Sequence, residues 1–188
     1  SPRPLERYPD KLTLRLEHWA KATPDRTFLA QRTAAGQWRR LSYAQTLAQV
    51  RSIAQALLQR NVSVERPIAV LSGNDIEHAL IGLAANYVGI AYAPVSPAYS
   101  LISRDFGKLR YIIDLLTPGL VFAGDGEPFA HAIAATVPAD VEVVCHRRPP
   151  TSRPVTAFDS LLTGRPIEHA AAAHRTVLNN FLDDIHRP

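Results

Sequence analysis

The sequence predicts an α/β fold, with an open, mainly parallel sheet, helices on both faces, and a helix and β-hairpin ahead of it. Two patterns carry this reading. From residue 67 onward, short apolar runs alternate with stretches of helical periodicity, as in parallel strands joined by right-handed crossovers. Before residue 60 the order differs: one helical stretch, then two short strand-like runs around Thr33-Ala-Ala-Gly36. The 188 residues, 46% hydrophobic and 20% charged, suffice for one globular domain with a substantial core.

Each element follows from its local pattern. Leu12, Leu16, Trp19 and Ala20 recur at helical spacing over 12–22, and Pro24 stops that helix. Residues 27–31 and 37–41 form the hairpin strands. Ser42 caps a helix over 43–60 whose inner face is Leu47, Val50, Ile53, Ala54 and Leu57, with arginines and glutamines on the solvated side. The apolar run 67–72 ends in Gly73-Asn74-Asp75 and leads to a helix over 76–87. A second run, 90–95, passes through a Ser/Pro loop to a helix from about 104 to 116. A third, 119–123, is closed by Gly124-Asp125-Gly126 and followed by a helix over 129–136, and 141–144 is the fourth. Prolines make 146–154 (HRRPPTSRP) an extended, basic connector. A short element at 158–162, an Ala-rich stretch at 168–174 and an amphipathic stretch at 177–185 complete the chain.

Composition narrows the function classes. Lys and Arg number 21 against 17 Asp and Glu, a net charge of +4 with arginines scattered along the chain, so nucleic acid is not implied. No run approaches the roughly 20 apolar residues of a membrane span, and the start Ser1-Pro-Arg-Pro does not read as a signal peptide. A single cysteine, Cys145, excludes a disulfide framework and fits a reducing cytoplasm. Methionine is absent even at position 1, as expected of a processed, trimmed or incomplete chain.

Candidate chemistry is sparse. Neither G-x-G-x-x-G nor G-x-x-x-x-G-K-[ST] occurs, and Gly124-Asp125-Gly126 reads as a strand-ending turn rather than a phosphate cradle. The turn Ser72-Gly73-Asn74-Asp75 lies at the carboxyl end of a strand, where open sheets bind ligands, but a helix cap by Asn74 or Asp75 is the preferred reading. His169 and His174 lack the i, i+4 spacing of a helical metal pair, and His78 beside Ala79 and Leu80 reads as packed or surface. No G-x-S-x-G is present. Cys145 precedes His146, Arg147 and Arg148, cations that would lower a thiol pKa, yet it has no base partner and reads as inert. The loop at 92–100 (YAPVSPAYS) is the most unusual stretch: Pro94 and Pro97 restrict it to few shapes. Ser96, Pro97 and Tyr99 are therefore candidates for the wall of a substrate cleft, with a rigid strand-to-helix connection as the plainer alternative. No catalytic, cofactor-binding or metal-ligating residue is assigned.

The order of several motifs resembles a known superfamily. Residues 41–47 (LSYAQTL) look like the first core motif of the adenylate-forming enzymes, which include acyl-CoA synthetases, luciferases and adenylation domains; residues 87–94 (YVGIAYAP) look like the second. The runs RPIAVLSGNDIEH (66–78), APVSPAYSL (93–101) and DFGKLR (105–110) resemble the bacterial feruloyl-CoA synthetases within it. The resemblance covers about residues 5–165 and divides the chain into an incomplete N-terminal subdomain, 1–165, and a helical segment, 166–188, that does not match.

This resemblance implies a cytoplasmic, AMP-forming ligase that joins an aromatic, feruloyl-like acid to coenzyme A, using ATP and Mg2+. In the family the residues that hold phosphate, ribose and magnesium lie downstream of this region, so none is carried over. Tyr43 and Leu47 pack a helix, and Gly89 and Pro94 shape a strand and its exit. After residues 170–177 the family proceeds to its phosphate loop, whereas this sequence reads LNNFLDDIHRP. A truncated or incompletely represented chain, inactive alone, is expected. The alternative is a non-catalytic α/β scaffold or interaction module. Its bare surface would call for a homodimer or a partner chain, or for cover by the stripe Val177, Leu178, Phe181, Leu182 and Ile185. A stand-alone nucleotide binder would lack any phosphate loop.

Overall fold

A computed structural model describes residues 11–167. They form two compact units that part between Ala48 and Gln49. The expected helical segment 166–188 lies outside the described residues from 168 on.

In the first unit, α1 (Thr13–Ala22) precedes the antiparallel hairpin of β1 (Thr27–Arg32) and β2 (Trp38–Ser42), as the sequence predicts. Gly36 closes the turn at a φ of 76°, a left-handed conformation natural to glycine. Helix α2 (Tyr43–Leu58) starts on a reciprocal cap. The Gln45 amide donates to Ser42 Oγ at 3.2 Å, and Gln45 Oε1 accepts from the Ser42 amide at 2.9 Å. Such a cap contributes about 1 kcal/mol. The expected inner face is correct for Val50, Ile53, Ala54 and Leu57, but Leu47 is only half-buried. Thr46 is buried beside it, its hydroxyl satisfied by the Ser42 carbonyl at 2.8 Å, so a polar side chain occupies a position that periodicity gives to an apolar one.

The second unit is a five-stranded, wholly parallel sheet in the order β4-β3-β5-β6-β7. Its strands are β3 (Ile68–Val70), β4 (Tyr92–Pro94), β5 (Leu120–Asp125), β6 (Glu142–Arg147) and β7 (Thr156–Ala157). The crossover helices are α3 (Ile76–Val88), a single turn α4 (Ala98–Leu101), α5 (Gly107–Leu116) and α6 (Gly126–Thr136). Alternate residues of the central strands face opposite layers. Ala69, Leu71, Val121, Ala123, Val143 and Cys145 pack with Leu109, Ile113, Phe129, Ala132 and Ile133 of α5 and α6. Residues of the opposite parity (Ile68, Val70, Leu120, Phe122, Val144) are equally buried, and Phe122 meets Phe158 at a 5.5 Å ring separation. Full burial of a side chain such as Phe122 stabilises by about 1.5–3 kcal/mol.

Several element boundaries depart from the sequence reading. The Ser/Pro loop contains the short α4, and the next helix begins at Gly107 rather than near 104. There Ser103 Oγ accepts from the Phe106 amide at 3.0 Å and Asp105 from the Gly107 amide at 3.1 Å, while Phe106 itself is left-handed at φ 54°. These side-chain bonds compete with helix. They also hold the Asp105 carboxyl below its ordinary range, the Gly107 amide first and the Ser103 hydroxyl second. Strand β5 runs through Asp125 and α6 starts at Gly126, so no loop separates them. Strand β6 continues through Arg147 and includes Cys145.

Of the expected connector 146–154, His146 and Arg147 belong to β6, and the remainder is tied to the sheet and leads into β7. Arg153 donates to the carbonyls of Val137, the C-cap of α6, and of Pro138, Ala139 and Val141 in the turn that follows, at 2.6–3.2 Å. At the same end of the sheet Glu142 accepts from Arg60 Nε at 3.1 Å and from Thr156 Oγ1 at 2.7 Å. Replacement of Arg153 by Ala should destabilise the chain by about 1–2 kcal/mol, since charged donors to several carbonyls are lost from a partly exposed site. Urea unfolding checks this: the midpoint should fall while the slope is unchanged.

Candidate functional site

In a parallel sheet, ligands bind beyond the carboxyl ends of the strands, where adjacent crossovers leave for opposite faces. Here that point lies between β3 and β5, because the chain goes from β3 to β4 on one side and returns to β5 on the other. The loop after β3 brings Ser72 and Asp75 there. Ser72 Oγ donates to Asp75 Oδ2 at 2.8 Å, and Asp75 Oδ1 accepts from the His78 amide at 2.7 Å, capping α3. His78 Nδ1 lies 2.9 Å from the Gly73 carbonyl. Asp75 is thus the helix cap, as preferred from the sequence.

Gly124 lies against this pair from β5. A methyl group on its Cα would overlap both the Asp75 carboxylate and the Ser72 hydroxyl. Gly126 is similarly enclosed: a Cβ there would come within 2.8 Å of Cys145 Sγ and of the Arg148 carbonyl. The two glycines therefore serve close packing, and the switch point is filled by the protein itself.

The neighbouring charges are also paired internally. Arg148, left-handed at φ 43°, directs its guanidinium to Asp125 Oδ1 at 2.9 Å and Oδ2 at 2.5 Å, and to Glu127 Oε2 at 2.5 Å. Glu77 of α3, a buried carboxylate, faces His146 Nε2 of β6 at 3.5 Å, and Asp159 Oδ1 stands 3.7 Å from His146 Nδ1. Sequence reasoning missed this triad. Its members are far apart in the chain, and none belongs to a recognisable spacing.

Cys145 is buried, with Sγ donating to the Arg147 carbonyl at 3.0 Å. Burial pushes its thiol pKa up, against weaker opposing contributions from backbone hydrogen bonds at Arg147 and Gly126. The sequence had suggested that the following cations lower it. They do not prevail, because Arg148 is engaged by Asp125 and Glu127 and desolvation of a thiolate is costly.

The three proposed cleft-wall residues lie beyond edge strand β4. Ser96 is exposed, and its carbonyl accepts from the Tyr99 amide at 3.0 Å. The Pro97 carbonyl accepts from Ser100 and Leu101 as α4 begins. Tyr99 is half-buried against the α5–α6 core layer, with Lys108 Nζ 5.4 Å from its ring centre. The topology brings these residues to the carboxyl edge of the sheet; Tyr99 is used in packing there, and Ser96 is open. Among the described residues no group of three or more His, Cys, Asp or Glu is disposed to hold a metal ion.

The fold agrees with a comparison of the whole sequence. A family model described as AMP-binding enzyme matches residues 16–177. The chain belongs to that family. Its fold is shared with a protein assigned as a long-chain-fatty-acid CoA ligase from Rhodopseudomonas palustris (TM-score 0.68, 22% identity, 85% of this chain and 38% of that one). It is also shared with a luciferase-like enzyme from the mealworm Zophobas morio (TM-score 0.63, 15% identity, 89% and 37%). A fatty acyl-adenylate ligase from Legionella pneumophila matches at TM-score 0.58 and 15% identity over 84% of this chain and 26% of that one. The chain thus spans between about a quarter and two-fifths of the length of these structures.

Two outcomes follow from the packing at this edge. Gly124→Ala should destabilise the chain by about 1–3 kcal/mol, the cost of overpacking, whereas Gly73→Ala, with open space at its Cα, should stay within about 0.5 kcal/mol; thermal melts compare the two. Cys145 should react with an aromatic disulfide reagent at least tenfold more slowly in the native chain than in urea, the native rate rising with pH as the thiolate forms. Rapid native labelling at pH 7 would contradict the burial assigned to it.

Proposed function

We propose that these residues are the N-terminal subdomain of an AMP-forming carboxylate–CoA ligase, serving as scaffold rather than as the catalytic centre. The observation that carries the scaffold role is the closed carboxyl edge. Ser72, Asp75 and Gly124 fill the switch point, and the arginine and histidine beside it are already directed to internal carboxylates.

The reaction proposed for the whole ligase has two balanced steps. A carboxylate oxygen attacks the α-phosphorus of ATP, forming the acyl-adenylate and releasing pyrophosphate. The thiolate of coenzyme A then attacks the acyl carbon and expels AMP, its proton passing to solvent. The motif order shared with feruloyl-CoA synthetases supports an aromatic, feruloyl-like acid as substrate. The proline-restricted loop at the carboxyl end of the sheet supports a place for Ser96, Pro97 and Tyr99 on the wall of a substrate cleft, where Ser96 is the exposed polar group. A cytoplasmic setting accords with this chemistry, since ATP and coenzyme A are needed together; among the described residues no helix is long and apolar enough to cross a membrane.

The test is ferulate-dependent exchange of labelled pyrophosphate into ATP by the purified 188-residue chain. The expected rate is no higher than a no-enzyme control. Exchange above that control, lost on omission of ferulate, would show that the described residues do more than support a site.

A further inference from the structure

The positive charge of the chain is not spread evenly, contrary to the expectation from its scattered arginines. Residues 11–48 contain seven Lys or Arg and two carboxylates, Glu17 and Asp25, whereas residues 49–167 contain ten of each sign. The excess is concentrated where the hairpin stands. In its register Arg32 is opposite Trp38 and Ala30 is opposite Arg40, so Arg32, Trp38 and Arg40 share one face. All three are exposed, Trp38 by 48%. Both guanidinium groups lie over the Trp38 ring, at 5.1 Å for Arg32 and 5.9 Å for Arg40.

We propose that this hairpin face is a docking surface for an acidic protein segment, with Arg32 and Arg40 as the carboxylate-binding forks and Trp38 as their support. Contact with an aromatic ring restricts the arginine rotamers, and a guanidinium held in this way can grip a carboxylate with two hydrogen bonds. Pre-ordering reduces the entropy lost on binding, and Trp with Arg is the residue combination most enriched at protein interface hot spots. The charge excess supplies complementarity to an anionic partner. Two other anionic partners fit less well. A nucleobase that stacks on Trp38 has to compete with two guanidinium groups for the ring. A lipid surface needs a continuous apolar face, while Thr27, Gln31, Thr33 and Gln37 interrupt this hairpin.

The experiment titrates fluorescein-labelled poly-L-glutamate with the 188-residue chain, reading anisotropy at 50 mM salt. Arg32→Gln with Arg40→Gln is expected to weaken binding at least tenfold. Arg104→Gln with Arg165→Gln, which removes two charges from exposed positions elsewhere, should stay within twofold. Arg32→Lys with Arg40→Lys keeps the charge but not the fork and should weaken binding three- to fivefold; it carries the test should the Gln pair unfold, as judged by circular dichroism. Labelled oligothymidylate and phosphatidylserine vesicles are run in parallel. Absence of poly-glutamate binding, equal losses in the two Gln pairs, no effect of the Lys pair, or tighter binding of the oligonucleotide or the vesicles would each overturn the proposal.

Discussion

The hydrogen bond from Ser72 to Asp75 lies against the bare Cα of Gly124, and at that contact the exit of β3, the start of α3 and the end of β5 meet. Asp75 has two roles there. One carboxylate oxygen caps the first turn of α3, and the other receives the Ser72 hydroxyl. A side chain at Gly124 would separate the strands just where the sheet reverses its winding direction. Because the contact is tight, β5 passes into α6 without a loop, and Gly126 must in turn fit beneath the Arg148 carbonyl and Cys145. The closed edge is thus one connected consequence of short side chains at three positions.

Electrostatics reinforces the same closure. Charged groups clustered beyond strand ends ordinarily suggest a site, but structural ion-pair networks give the same appearance. Here the geometry favours structure. Arg148 uses its fork on Asp125 and Glu127, joining β5, α6 and the connector after β6. His146 lies between Glu77 and Asp159, joining α3 to the segment that follows β7. At the opposite end of the sheet Arg60 and Thr156 converge on Glu142. Each set links elements remote in sequence and ties them to the sheet.

Much of the fold was legible in the residues. Continuous apolar runs such as Ile68–Val70 can be satisfied only by strands covered on both faces, and Asp75 ahead of a helical pattern is a local cap that needs no tertiary information. The resemblance of residues 41–47 and 87–94 to known motifs pointed to the same family that the AMP-binding enzyme model matches over residues 16–177. Harder to read were boundaries set by side chains acting on nearby backbone, as where Ser103 and Asp105 delay α5 to Gly107, and the short strand β7, which exists only because Val144 and Cys145 offer it a partner edge. Cys145 shows the limit most clearly. Its sequence neighbours are cations, but its spatial neighbours are an apolar layer, and burial decides its chemistry.

By itself, then, the sequence determined the main helices and strands, their order and the parallel winding, though not the single turn α4 or strand β7, because hydrophobic period, caps and chain-breaking residues act within a few positions. Tertiary structure alone decided which charged groups are consumed in pairing, what the glycines at 124 and 126 pack against, and that Arg32 and Arg40 share a face with Trp38. Those outcomes depend on distances between residues separated by a strand register or by a crossover, which no local pattern encodes.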